Sequence, residues 1–238
     1  MNRRQLSEFL FSKMNMVEPY PDKVKPVSEM MELTAFFPGG MELWLEEKSE
    51  IIPDILVLGH DFSTVLEYKK MVDSMQNEIN GPTWRELRKL FKTAEIDLNR
   101  CFFSNVYMGL RDVKLMTGTF PGSKDKAYVH RNLEFLKLQI ETIKPKVIIT
   151  LGKPASINLS LLSKELKESW AGGKALSIPN NGLKNNVVIH DHNYICAALE
   201  HPSMRNQNVK RRRHQNESGC YSGSHAEVEL LKDAMQFT

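Results

Sequence analysis

Four short apolar stretches set the rhythm of this chain. Ile55, Leu56, Val57 and Leu58 run without polar interruption between Asp54 and Gly59, as in a strand covered on both faces. Residues 101–107, 147–151 and 194–199 repeat the pattern, and 147–151 also stops at a glycine, Gly152. Residues 187–189 fit a short extra strand. Between these runs the apolar spacing changes to three and four residues, which predicts helices. One covers 5–17 (Leu6, Phe9, Leu10, Met14, Val17), one 64–79 (Val65, Tyr68, Val72, Met75, Ile79) and one 128–143 (Leu133, Leu136, Ile140, Ile143). Further helices are predicted around Met30, Met31 and Leu33, from Gly152 to about Leu166, and over 224–237. Thr83-Trp84-Arg85-Glu86 reads as a capping box opening a helix whose buried face is Leu87, Leu90 and Phe91. Strands alternating with helices predict an α/β fold, a parallel sheet with helices on both faces.

The polar residues that end the strands carry the chemical interest. Open α/β sheets bind ligands beyond the carboxyl ends of their strands. Asp61 follows the first run, Asn105 lies in the second, and His201 follows the last. Each has a plainer reading: Asp61 as the cap of a helix starting near Thr64, Asn105 as a satisfied core amide, His201 as a loop histidine beside Pro202. Residues 108–127 mix three glycines, a proline and charges, and are expected to form a long surface loop of the kind that is often functional. Lys210-Arg211-Arg212-Arg213 reads as a basic polar loop.

Composition narrows the class. With 238 residues and 41% hydrophobic content, the chain can bury one substantial core, and a single domain spanning 1–238 is expected, with 1–49 as an N-terminal helical extension packed on it. A net charge of +3 leaves nucleic-acid affinity to local clustering. The three cysteines are far apart, which argues against a disulfide framework and against a four-cysteine metal or iron–sulfur site. No apolar run reaches the ~18 residues of a membrane span and no signal-peptide core is evident, so a reducing cytoplasmic setting is expected, nucleoid-associated in a bacterium.

Taken together, G-H-D-F-S at 59–63, Asn105, V-I-I-T-L-G at 147–152 and H-P-S-M at 201–204 resemble the uracil-DNA glycosylase superfamily in order and spacing. The resemblance implies a three-layer αβα fold on a four-stranded parallel sheet, and a hydrolase of base-excision repair that flips a uracil out of DNA and cuts its N-glycosidic bond. It implies no metal or organic cofactor, a monomer, DNA carrying uracil or a mismatched or damaged base as partner, and no membrane. Asp61 would stabilise the oxocarbenium-like sugar and hold or deprotonate a water, while His201 would donate to the departing base oxygen. An asparagine amide complements uracil O4 and N3–H, which suits Asn105. Gly59, His60, Phe62 and Ser63 would line the base pocket. Pro202, Ser203, Met204 and Arg205 would lie on the DNA, Met204 as a wedge, and Lys210, Arg211, Arg212 and Arg213 on phosphates.

Two departures stand out. Phe62 and Ser63 replace the Pro-Tyr of the best-known branch, whose tyrosine excludes thymine. No aromatic matches the ring that stacks on the base; Phe62, Tyr68 and Phe120 are candidates, and Ile79 falls near that place. A silent nucleic-acid binder retaining the fold is the alternative, and a nucleotide-binding α/β enzyme is disfavoured by the lack of a phosphate-binding glycine motif.

Overall fold

The computed structural model describes residues 1–27, 37–40, 50–74 and 81–236. The expected helix at Met30, Met31 and Leu33 lies outside them, as do Met75, Ile79 and the side chain of Val72. The chain opens with α1 (Arg3–Ser12), whose N-cap Asn2 accepts from the Gln5 amide while the Gln5 side chain accepts from the Asn2 amide. A 3-10 turn and β1 (Val24–Lys25) follow. The central sheet begins with β2 (Ile55–Gly59); α2 (Val65–Ser74) and α3 (Pro82–Thr93) lead to β3 (Cys101–Asn105). β4 (Leu110–Arg111) and α4 (Lys126–Ile143) precede β5 (Val147–Leu151). Three short helices, α5 (Lys153–Ser160), α6 (Lys164–Trp170) and α7 (Lys174–Ser177), run to a hairpin of β6 (Leu183–Ile189) and β7 (His192–Leu199). The single turn α8 (Arg205–Asn208), a hairpin of β8 (Arg213–Asn216) and β9 (Gly219–Ser222), and α9 (Gly223–Gln236) complete the order.

The strand order is β3-β2-β5-β7-β6. The four expected strands are parallel to one another, and a fifth, β6, pairs antiparallel with β7 at the edge. Only 187–189 of it was legible, because Lys184, Asn185 and Asn186 are polar and the register shifts between Lys184 and Val187. Alternation along the strands builds the layers. Ile55, Val57, Cys101, Phe103, Val147 and Ile149 pack with Trp84, Leu87 and Phe91 of α3 and Leu231 of α9. Leu56, Leu58, Phe102, Ile148 and Cys196 face the other way, onto a core that includes Leu6, Leu10, Phe135, Ile140 and Trp170.

Two local expectations are corrected. Helix α3 starts at Pro82, with Gly81 as N-cap and no side-chain cap, so Thr83 is not the capping residue. Proline is favoured at the first helical position because it has no N–H to satisfy. The segment 108–127 is not surface throughout: Met108 to Arg111 are buried, and β4 pairs with β1. Its longest exposed stretch is 112–119, with Val113 half-buried.

Register sets up the site. Gly59 is level with Asn105, Leu58 with Thr150, and Leu151 with Leu199, so four parallel strands end in one row. The chain leaves β2 for β3 on one side and returns to β5 on the other, so a switch point lies beyond the ends of β2 and β5.

The loop leaving β7 is fastened from behind by Glu227 of α9, which is fully buried. Its carboxylate takes the Glu200 amide at 2.6 Å and Arg205 Nε at 2.8 Å, and lies 3.5 Å from Arg212 Nε. Removing one member of a buried ionic group leaves its partners charged and unpaired. Glu227→Ala should therefore cost roughly 3–5 kcal/mol of unfolding free energy, read by denaturant titration.

Candidate active site

Beyond the row of strand ends, the segment after β3 stays against the segment after β2. Val106 N donates to Gly59 O, Tyr107 N to His60 O and Arg111 N to Ser63 O. That zipper brings Arg111 under Asp61. Its Nε and Nη2 each reach one carboxylate oxygen at 2.8 Å, a bidentate pair with both side chains almost covered (4% and 8% exposed). His60 Nδ1 lies 2.6 Å from Oδ2 of the same carboxylate. Burial alone would raise the Asp61 pKa, but the hydrogen bonds and charges of Arg111 and His60 outweigh it and hold the carboxyl below its ordinary range. Asp61 is thus an anion at neutral pH. It is not the helix cap: that place belongs to Thr64, whose Oγ1 accepts from the Glu67 amide. The remaining donors of Arg111 go to the carbonyls of Thr117, Gly118 and Thr119, which pins the exposed loop to the site.

His60 stands edge-on to the Tyr107 and Phe120 rings, at centroid distances of 5.3 and 6.2 Å. Tyr107 and Phe120 stack on each other at 4.7 Å, and the Tyr107 hydroxyl reaches Asn158 at 3.2 Å. Burial, and then the Asp61 charge, push the Tyr107 phenol up to about 12, so it stays protonated. This aromatic layer is tight: a Cβ on Gly122 would fall 2.7 Å from the Tyr128 ring and 2.8 Å from that of Phe120. Of the rings expected to stack on a base, Phe62 and Phe120 are buried in the core and Tyr68 packs against it. Asn105 is buried, yet its side-chain amide has no hydrogen-bond partner among the described residues and is not sealed from solvent.

His201 reaches the same rim from β7. It leans on Gly152, where a Cβ would lie 3.1 Å from the His201 Cβ and where φ is +86°, so glycine is required twice over. His201 Nδ1 meets Ser203 Oγ at 2.8 Å, leaving Nε2 for another partner. Burial lowers the His201 pKa against the opposing pull of Asp61, with His60 adding to the lowering. The imidazole is therefore neutral at pH 7.

The basic residues divide. Arg205 and Arg212 were expected on DNA, but both are buried, 6% and 2% exposed, and face Glu227. Arg212 also donates to the carbonyls of Ala175 and Ala198. These two guanidinium groups hold the fold together and are withdrawn from phosphate contact. Lys210, Arg211 and Arg213 are exposed, as are Ser203 and Met204, while Pro202 is buried.

Sequence reasoning missed Arg111 and Glu227. Neither sits in a motif, and their partners lie 50 and 22 residues away. The one available signal was a lone arginine six residues after Asn105, too weak to single out.

No curated protein matches this chain. The sequence profile of the uracil DNA glycosylase superfamily matches residues 79–221, a span that contains Asn105, β5, Gly152 and His201 and begins after Asp61. With that match over more than half of the sequence, and with a mostly parallel sheet whose strand ends converge on Asp61, Asn105 and His201, the chain belongs to the uracil DNA glycosylase superfamily.

Proposed function

We propose that this protein is a monofunctional DNA glycosylase that hydrolyses the N-glycosidic bond of uracil in DNA. The observation that carries the reading is the pairing of an unpartnered Asn105 amide with a neutral His201 on one rim, beside the fixed negative charge of Asp61. A flipped uracil offers O4 and N3–H to an amide that has one acceptor and one donor. Cleavage leaves negative charge on the base, and a neutral imidazole can donate to it if the Ser203 hydroxyl donates to Nδ1 and leaves the proton on Nε2. The sugar becomes oxocarbenium-like, and an anion nearby lowers that barrier. The opposing reading is a silent binder, favoured by one feature: Arg111 neutralises much of the Asp61 charge. Treating uracil-containing oligonucleotide with the protein and then with alkali separates the two, because strand scission at uracil requires glycosidic cleavage.

His201→Ala should lower kcat by about 10²–10³ with little effect on KM, as for loss of one oxyanion donor. The same variant reports on pH. The folded His201 pKa lies below its ordinary 6.5, so the unfolded chain takes up the proton first as pH falls. Wild type carries no penalty above that value and loses stability below it, until the folded pKa is passed. The unfolding free energy of the variant should gain on wild type as pH drops from about 7.5 to 5.5, measured by urea titration at each pH.

Phosphate neutralisation is assigned to Lys210, Arg211 and Arg213. Replacing each by alanine should shallow the log–log salt dependence of duplex binding by about 0.9. Arg212→Ala should leave the slope alone and cost stability instead; equal slopes for all four variants would remove the basic turn from the DNA surface.

Base selectivity is proposed to be loose at the 5-position. In the resemblance of the first motif, Ser63 replaces the tyrosine that would exclude a methyl group, and the Phe62 ring is buried in the core. An apolar wall discriminates one methyl by only ~1–3 kcal/mol even when present. 5-Hydroxymethyluracil opposite guanine should be released at a rate comparable to uracil, and Ser63→Tyr should suppress it selectively in a competition assay.

A further inference from the structure

Most of the lone pairs with which the Asp61 carboxylate could accept a proton from water are already taken. Arg111 takes one on each oxygen and His60 a third, so of about four acceptor sites a single one is left, on Oδ1. The arginine also stabilises the anion, which makes the carboxylate a weaker proton acceptor. His60 is differently placed. Its Nδ1 contacts Asp61 at 2.6 Å, its ring is held edge-on by Tyr107 and Phe120, and its side chain is 17% exposed. Nε2 has no hydrogen-bond partner among the described residues and is not a sealed atom. A carboxylate on one imidazole nitrogen orients the ring and fixes the proton there, leaving the other nitrogen as a lone-pair acceptor.

We infer that His60 Nε2 is the general base for the hydrolytic water, with Asp61 acting through His60 as a positioning residue and Arg111 holding Asp61 in place. This rests on the glycosylase reading above. In the step, the C1′–N1 bond breaks and its electron pair leaves on the base. A lone pair of the water oxygen forms the C1′–O bond, and the water proton passes to Nε2. The imidazolium is stabilised at Nδ1 by Asp61 and later returns its proton to the departed base or to solvent, so water and a nucleotide yield free base and an abasic sugar.

A mutant cycle under single-turnover conditions, on a uracil-containing oligonucleotide, tests the assignment with wild type, His60→Gln, Asp61→Asn and the double variant. His60→Gln should slow release at least about a hundredfold while DNA affinity, read by anisotropy, is unchanged. Because part of what Asp61 contributes passes through His60, adding Asp61→Asn to that background should cost at least about tenfold less than it costs in wild type, the remainder being the direct help its charge gives the sugar. Imidazole in solution should restore His60→Ala at least about tenfold, an arm that stands even if Asp61→Asn fails to fold. His60→Gln releasing uracil within about threefold of wild type, or Asp61→Asn exacting its full single-variant factor in the double variant, would overturn the assignment. A wild type that forms no alkali-labile sites would instead overturn the glycosylase reading, and this inference with it; an active wild type with additive losses would overturn the role of His60 alone.

Discussion

The buried pair between Arg111 and Asp61 is the interaction on which the rim depends. A bidentate guanidinium–carboxylate contact almost covered from water needs excellent geometry to offset desolvation of both charges. Here that geometry is set by backbone, because the amides of Val106, Tyr107 and Arg111 pair with the carbonyls of Gly59, His60 and Ser63. The arginine is then tied further by its own strand, β4, to β1 in the N-terminal segment, and by its side chain to three carbonyls of the loop 112–119. Through its backbone and side chain together, this one residue ties the segment after β2 to β1 and to the loop 112–119. The N-terminal segment, which contributed nothing to the family resemblance, supports the site through this route.

Much of the scaffold was legible because apolar runs of strand length ending in glycine or a polar residue admit few other readings. Asp61, Asn105 and His201 could be placed at strand ends from those runs alone, and the register puts the ends in one row. What pairs with these residues was not legible. Ion pairs between residues far apart in sequence leave no periodic trace, so Arg111 looked like one more charge in a polar loop. The first half of the fifth strand was hidden for a local reason: Asn186 adopts φ of +58° at the register shift, and the polar residues before Val187 break the alternation that marks a strand.

The basic run shows a different limit. Four consecutive cationic residues look equivalent in sequence and suggest one solvated surface. The backbone turns through them so that Arg212 points inward to Glu227 while Lys210, Arg211 and Arg213 face out. Burying a guanidinium is costly unless its charge is met and its donors are satisfied, and Glu227 with the carbonyls of Ala175 and Ala198 meets that demand. Part of the apparent electrostatic footprint is therefore internal architecture, which also keeps the His201 loop at a fixed height above the sheet.

The antiparallel strand β6 has a bearing on how the sheet meets other molecules. An open parallel sheet has two edges, each a row of unpaired backbone groups that invites another chain to add a strand. On one side β6 becomes the edge, and its irregular register and polar Lys184, Asn185 and Asn186 make it a poor template. On the other side the β3 edge is met by the Pro38–Gly40 turn, where Gly39 N donates to Phe103 O at 2.8 Å. Both margins are therefore poor templates for strand addition, whereas at the rim of strand ends backbone pairing plays no part and contact with another molecule falls to side chains.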